Sequence, residues 1–273
     1  KCLWAFQKVD EKDYPKTNDE KVQLLGKCYV DGAKAYEESE ESKEEIKVIN
    51  KSIYLKDNEL ITKLWTLGKQ WSLDKFQEIY DRVYSTFDRQ YMETETIEKC
   101  MVYIEKAKNM GILEESEGAI IFNGEKYGLD TRVFLNSQGL PTYEGKELGL
   151  GYLEFNDFGK LDLCIHNVAV EQISFFKVAF KVQELLDPEM FKGKQYHNAY
   201  EFVGLKKGKM SSRKGQVILG NDILNEANQR ITDVVKSKED TELDPEEIEK
   251  LAIASIKYSF LKISPFKYLA FDM

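Results

Sequence analysis

Residues 206–214 concentrate charge: five of the nine are basic (Lys206, Lys207, Lys209, Arg213 and Lys214), with Gly208, Ser211 and Ser212 between them. Cations supply charge, and small residues let the backbone approach closely, so the pattern suits a loop closing over a polyphosphate. On composition alone, an exposed basic loop is an equally good reading. A P-loop is a poor match, because Gly204, Gly208 and Lys209 have the wrong spacing and Met210 stands where Ser or Thr is required. The four cysteines, Cys2, Cys28, Cys100 and Cys164, form no C-x-x-C pair. Neither a disulfide framework nor a metal site is expected, and a reducing, cytoplasmic setting fits best.

The elements that must position this chemistry are mixed. From residue 20 to about 110 the periodicity is helical: Leu73, Phe76, Ile79, Tyr80 and Val83 recur behind an expected N-cap at Ser72, and Ile97, Cys100, Met101, Ile104 and Ala107 repeat the pattern before Gly111. Glu37, Glu38, Glu40, Glu41, Glu44 and Glu45 form an acidic run, read as a solvated helix face or loop. Near Gly118 the character changes to short β-branched and aromatic runs, Ala119–Phe122, Arg132–Leu135 and 161–168, which read as strands. Phe175, Val178, Ala179, Val182, Leu185 and Leu186 then share one helix face, stopped by Pro188. That strand-to-helix unit is of the doubly wound type, whose ligands bind at the carboxyl ends of strands, here residues 168–172. Ile223, Leu224, Ala227, Ile231 and Val234 mark another helix, and Asp244, Pro245 and Glu247 predict a capping box opening a last one that runs to Ser264 and Pro265.

The net charge of −9 excludes whole-surface nucleic-acid binding and leaves room only for a local basic patch. No apolar run approaches the ~20 residues of a membrane span. The opening residues, without an initiator Met, are too short and mixed for a secretory signal, so the chain is expected to be trimmed or part of a longer one.

Lys209-Met210-Ser211-Ser212-Arg213 resembles the class I aminoacyl-tRNA synthetase signature written KMSKS, in the form found in arginyl-tRNA synthetases. Further likeness lies in Phe134-Leu135-Asn136, Gly139-Leu140-Pro141-Thr142-Tyr143, Gly145-Lys146-Glu147-Leu148-Gly149 and the Glu171-Gln172 pair, and residues 71–88 are similar to that family's upstream helical region. The likeness covers most of the chain and is strongest over 118–227. It implies an α/β fold, part of a Rossmann-like nucleotide-binding domain with helical segments before and after it. It also implies an arginine pocket in which Glu147 pairs with the guanidinium while Tyr143 and Gln172 orient it. The planar, permanently charged guanidinium makes that chemistry reasonable. Tyr143 and Glu147 lie four apart, so a helical turn would face them the same way. On the residues alone, Tyr143 is as readily a core aromatic and Glu147 an ordinary surface carboxylate.

By the same resemblance, Lys209 stabilises charge on the phosphates of ATP, Ser211 and Ser212 donate hydrogen bonds, and Val203 and Met210 join the ATP site. The implied substrates are arginine, ATP with its Mg²⁺, and tRNA(Arg), handled by a monomer that makes no use of a membrane. The resemblance divides the chain into a mainly helical region over 1–115, the second half of the catalytic domain over 116–220, and a helical region over 221–273 leading toward an anticodon-binding domain.

There are departures. The only histidines, His166 and His197, form no H-x-x-H, so the first class I signature is missing and the chain is expected to be an incomplete, inactive catalytic piece. Ser212 replaces the second lysine of the usual signature, Glu147 stands where the family often has Asp, and Tyr200 and Glu201 stand where a His and a Gly are expected near the adenine. The alternative is a synthetase-like protein that binds arginine or tRNA without catalysing activation.

Overall fold

The computed structural model describes residues 1–205, 219–238 and 242–271. Two compact units emerge, one formed by Lys1–Thr86, Gly204–Phe260 and Ala270–Met273, the other by Phe87–Val203 and Leu261–Leu269.

The first unit begins with helices α1 (Cys2–Phe6), α2 (Asn18–Glu38), α3 (Glu40–Leu55) and α4 (Glu59–Arg82). Thr17 and Glu20 form a capping box at the start of α2, and the side chain of Asn58 caps α4 by accepting from Ile61 N. Ser72 is therefore not the N-cap expected from the sequence. It lies inside α4, where its hydroxyl donates to the Gly68 carbonyl at 2.9 Å. The buried stripe of α4 is Ile61, Leu64, Gly68, Trp71 and Lys75, while Phe76 stays exposed. Phe6, Ile61, Leu64 and Trp71 anchor this unit's core. The acidic run spans the junction of α2 and α3, where Ser39 caps α3.

In the second unit, α5 (Glu93–Asn109) leads into a three-stranded antiparallel sheet of β1 (Glu114–Ser116), β2 (Ala119–Phe122) and β3 (Arg132–Leu135). Helix α6 (Tyr143–Asp157) follows. Strand β4 (Cys164–Ala169), helix α7 (Ile173–Leu186), the short α8 (Pro188–Phe191) and strand β5 (Gln195–Tyr200) complete a parallel strand-helix-strand unit. Its register pairs Cys164 with Gln195 and His166 with His197. The predicted strand over 161–168 thus starts later and runs one residue further. Strand β6 (Val203–Leu205), helices α9 (Gly220–Lys236) and α10 (Pro245–Leu261), both within the first unit but for Leu261, and strand β7 (Leu269–Phe271), which pairs with β6, close the chain. Asp244 and Glu247 make the predicted reciprocal cap, but α10 ends at Leu261 rather than at Ser264 and Pro265. No described helix is long and apolar enough to cross a membrane.

Two glycines explain how closely α6 is packed. A Cβ on Gly149 would sit 2.4 Å from the Thr96 carbonyl oxygen of α5, and one on Gly151 would sit 2.2 Å from Gln183 Nε2 of α7. Gln183 is fully buried; its Nε2 donates to the Glu147 carbonyl at 3.0 Å and its Oε1 accepts from Gln195 at 2.9 Å. This one amide ties α6, α7 and β5 together. Alanine normally gains about 1 kcal/mol over glycine within a helix. At position 151 the overlap should reverse the sign: Gly151→Ala is expected to destabilise by about 1–3 kcal/mol, read as a lower urea midpoint with unchanged slope.

Candidate functional site: a buried carboxylate beside a strand end

The first turn of α6 is fixed by its approach. Asn136 Oδ1 accepts from Gln138 N and Leu140 N at 2.9 and 3.0 Å, folding a tight turn with Gly139 at φ 75°. The chain then returns along β3, where Thr142 N donates to the Phe134 carbonyl at 3.1 Å and the Thr142 hydroxyl to the Val133 carbonyl at 2.5 Å. The same hydroxyl oxygen accepts from Gly145 N at 3.3 Å as the N-cap of α6. Tyr143 is therefore the first residue of the helix, held against the Phe175 ring with centroids 4.5 Å apart.

One turn further, Glu147 lies inside, only 6% exposed, whereas Tyr143 is 57% exposed. Helical spacing sets them on neighbouring turns at different depths. Glu147 Oε1 has no hydrogen-bond partner and lies 3.9 Å from His166 Nδ1. Burial, with a smaller contribution from Glu154, pushes the Glu147 carboxyl up to about 8. Burial likewise lowers His166 to about 4, with His197 contributing, so the imidazole is neutral and gives Glu147 no countercharge.

Two further α6 turns place Glu154 in the same region, its carboxyl raised by burial to about 7 and 3.8 Å from Cys164 Sγ. Cys164 and His166 alternate on β4 with the exposed Ile165 and so share a face. The sequence reading did not single out Glu154, Cys164 or His166 as site residues. The available signal was the period-2 pair Cys164 and His166 beside the seven-residue spacing of Glu147 and Glu154.

Gln172 ends the 3₁₀ turn Val170–Gln172 at the carboxyl end of β4 and is the residue preceding α7. It is half-buried, and no hydrogen bond joins it to Tyr143 or Glu147 among the described residues. Tyr143, Glu147 and Gln172 thus share one unit, with Tyr143 and Glu147 on one helix and Gln172 at the strand end. Val203 opens β6 and is partly exposed. Tyr200 ends β5 and is exposed, and Glu201 N donates to the Pro265 carbonyl at 2.6 Å. Lys209, Met210, Ser211 and Ser212 lie outside the described residues.

A parallel β4–α7–β5 unit, with Gln172 just past the carboxyl end of its first strand, gives the chain the strand-helix-strand element of α/β folds. Residues 3–271 match the family model for the catalytic domain of class I (R) tRNA synthetases, and the chain belongs to that family. It is 28% identical to an arginine–tRNA ligase of Bdellovibrio bacteriovorus, covering all of this chain and 48% of the relative. It is 30% identical to one of Treponema denticola, covering all of this chain and 47% of the relative. The chain therefore spans about half the length of the curated relatives it matches. Among solved structures, its fold resembles arginyl-tRNA synthetase of Plasmodium falciparum, with a TM-score of 0.74 at 15% identity over 99% of this chain and 44% of the other. That of Thermus thermophilus gives 0.71 at 19% identity over 99% and 50%.

The raised carboxyl has a consequence for stability. Below about pH 4.5, the ordinary value, both folded and unfolded chains hold the Glu147 proton. Between there and about 8 the unfolded chain loses it while the folded chain keeps it, so stability falls as pH rises through this window. Urea unfolding of the parent and of Glu147→Gln should show the glutamine variant gaining steadily on the parent from pH 5 to 8. A constant difference across that range contradicts the burial argument.

Proposed function

We propose that this chain forms the arginine-recognising part of the catalytic region of an arginine–tRNA ligase. The observation that carries the proposal is Glu147, a carboxylate 6% exposed whose Oε1 has no hydrogen-bond partner, on a helix that starts at Tyr143. A guanidinium is the ligand chemistry that suits such a group: it is always charged, and its N–H donors match a carboxylate edge. Tyr143, exposed beside Phe175, orients the substrate from the helix start. Gln172 supplies a neutral amide from the end of β4. Glu147 in place of the shorter Asp adds one methylene of reach from the helix.

In this reading the arginine carboxylate attacks the α-phosphate of ATP, giving arginyl-adenylate and releasing pyrophosphate. A ribose hydroxyl of the terminal tRNA adenosine then attacks the adenylate carbonyl, and AMP leaves. The protein's part is positioning and charge stabilisation. Lys209 offsets charge on the phosphates that enter with Mg²⁺, Ser211 and Ser212 donate to them, and Val203 and Met210 border the nucleotide. These assignments rest on the family pattern and the residue chemistry.

Removing one partner of a desolvated charge pair costs about 3–5 kcal/mol. Glu147→Gln is therefore expected to weaken arginine binding by roughly two to three orders of magnitude in calorimetry, and arginine-dependent ATP–pyrophosphate exchange by the full-length gene product should fall with it. Undiminished binding overturns the pocket. Arginine binding with no exchange by the full-length product supports the non-catalytic alternative.

The pH dependence is a separate expectation. The guanidinium stays charged, so binding requires Glu147 to lose its proton, and affinity should rise by up to about tenfold per pH unit from 6 to 8 and then level. Glu154, raised to about 7, adds a weaker dependence in the same window, while His166 stays neutral throughout. Calorimetry in buffers of different ionisation heat should show a proton released on binding at pH 7, and affinity independent of pH contradicts the account.

A further inference from the structure

Beside the proposed pocket, three different metal-ligating side chains converge. Glu154, Cys164 and His166 each offer one ligand atom, and these atoms all lie within 4.8 Å of one another. Glu154 Oε2 and Cys164 Sγ are 3.8 Å apart. In a tetrahedral zinc site, bond lengths near 2.3 Å to sulfur and 2.0–2.1 Å to nitrogen or oxygen imply ligand separations of about 3.3–3.6 Å. Closing the cluster requires the separations to shorten by up to about 1.5 Å, shared among side chains that turn about their own bonds. The three residues are partly buried, with the His166 side chain only 8% exposed, so most of the surrounding water is excluded.

The backbone holds two of the donors firmly. Cys164 and His166 face the same way on β4, and the ladder to β5 is continuous from Cys164 to Ala169. The His166 ring packs against Phe176 and Phe180 of α7, with centroids 5.1 Å from each. His197 is not part of the set, because its Nε2 is engaged with the Val168 carbonyl at 2.8 Å. An independent observation points to a cation in the same place. The buried Glu147 carboxyl, without a hydrogen-bond partner at Oε1, lies 3.9 Å from His166 Nδ1 and borders the cluster as a further oxygen donor. Glu147 and Glu154 are thus two carboxyls facing a thiol and a neutral imidazole, a group of Lewis bases that a positive ion would stabilise.

We propose that Glu154, Cys164 and His166 form a binding site for a divalent cation of the zinc class. The mixed sulfur, nitrogen and oxygen donors select Zn²⁺ or Co²⁺ over Mg²⁺ and Ca²⁺, which take oxygen ligands. Three protein ligands leave a fourth position, and Glu147 is the nearest further donor. When Glu147 is engaged by a guanidinium, water fills that position.

Titration of the reduced chain with Co²⁺ tests this. The expected result is one equivalent bound, with visible bands of a tetrahedral centre and a near-ultraviolet thiolate-to-cobalt charge-transfer band. Cys164→Ser should abolish the charge-transfer band, and Glu154→Gln, which preserves volume, should weaken binding by about tenfold or more. Cys2→Ser should leave both signals intact, identifying the thiol. Circular dichroism of each variant separates lost ligands from lost folding. Absence of a charge-transfer band in the parent chain, or its persistence in folded Cys164→Ser, overturns the site. Gln172→Ala, which alters the proposed arginine pocket and none of the four candidate donors, should retain the cobalt spectrum even where it weakens arginine binding, so the two proposals fail separately.

Discussion

Taking the carboxyl of Glu147 out of water is unfavourable, and nothing within α6 offsets it. The imidazole 3.9 Å away is held neutral by its own burial, and Glu154 on the same helix is another acid. The chain therefore keeps this group protonated at neutral pH unless a cation arrives. Binding a positively charged ligand there requires the proton to leave, at a cost of about 1.4 kcal/mol for each pH unit below 8, and the ion pair formed in the dry interior must offset that cost. A guanidinium keeps its charge throughout that range, so the proton on Glu147 alone sets the pH dependence of the pair.

The rest of the second unit serves to keep Glu147 where it is. Thr142 pins the start of α6 to β3, Gly149 lets α5 approach, and Gly151 leaves the space in which Gln183 reaches the Glu147 carbonyl. Through Gln195, Gln183 also ties that helix to β5, and so to the strand beside the one that carries His166. The Gln183 amide, bonded at both its nitrogen and its oxygen, makes a rigid support, because each broken bond leaves an unpaired polar atom in a dry interior. The carboxylate is thus fixed by backbone geometry and by side chains that never touch a ligand.

Much of this was legible in the sequence where a local rule governs. Periodicity located α5, α7 and α9, and the Asp244 and Glu247 cap followed from residue type and spacing. Tyr143 and Glu147 do share a helix, as their spacing of four suits. Other features depended on tertiary context. Ser72 looked like a cap because capping and mid-helix serines have the same chemistry, and only Asn58 fourteen residues earlier shows that the helix was already running. Glu154, Cys164 and His166 are spread over a helix and a strand, so their convergence follows from how α6 packs near β4, which no spacing rule states. The depth difference between Tyr143 and Glu147 was also hidden, because it comes from β4 and α7 rather than from α6 itself.

The most direct test of the account is the ionisation of Glu147 itself, followed through the side-chain carboxyl ¹³C resonance of glutamate-labelled protein, assigned with Glu147→Gln, in the absence and presence of saturating arginine. The account predicts a titration midpoint near 8 in the free chain and a fully ionised carboxylate at pH 7 once arginine is bound. A midpoint in the ordinary carboxylate range in the free chain, or a resonance that arginine leaves unmoved, would contradict it.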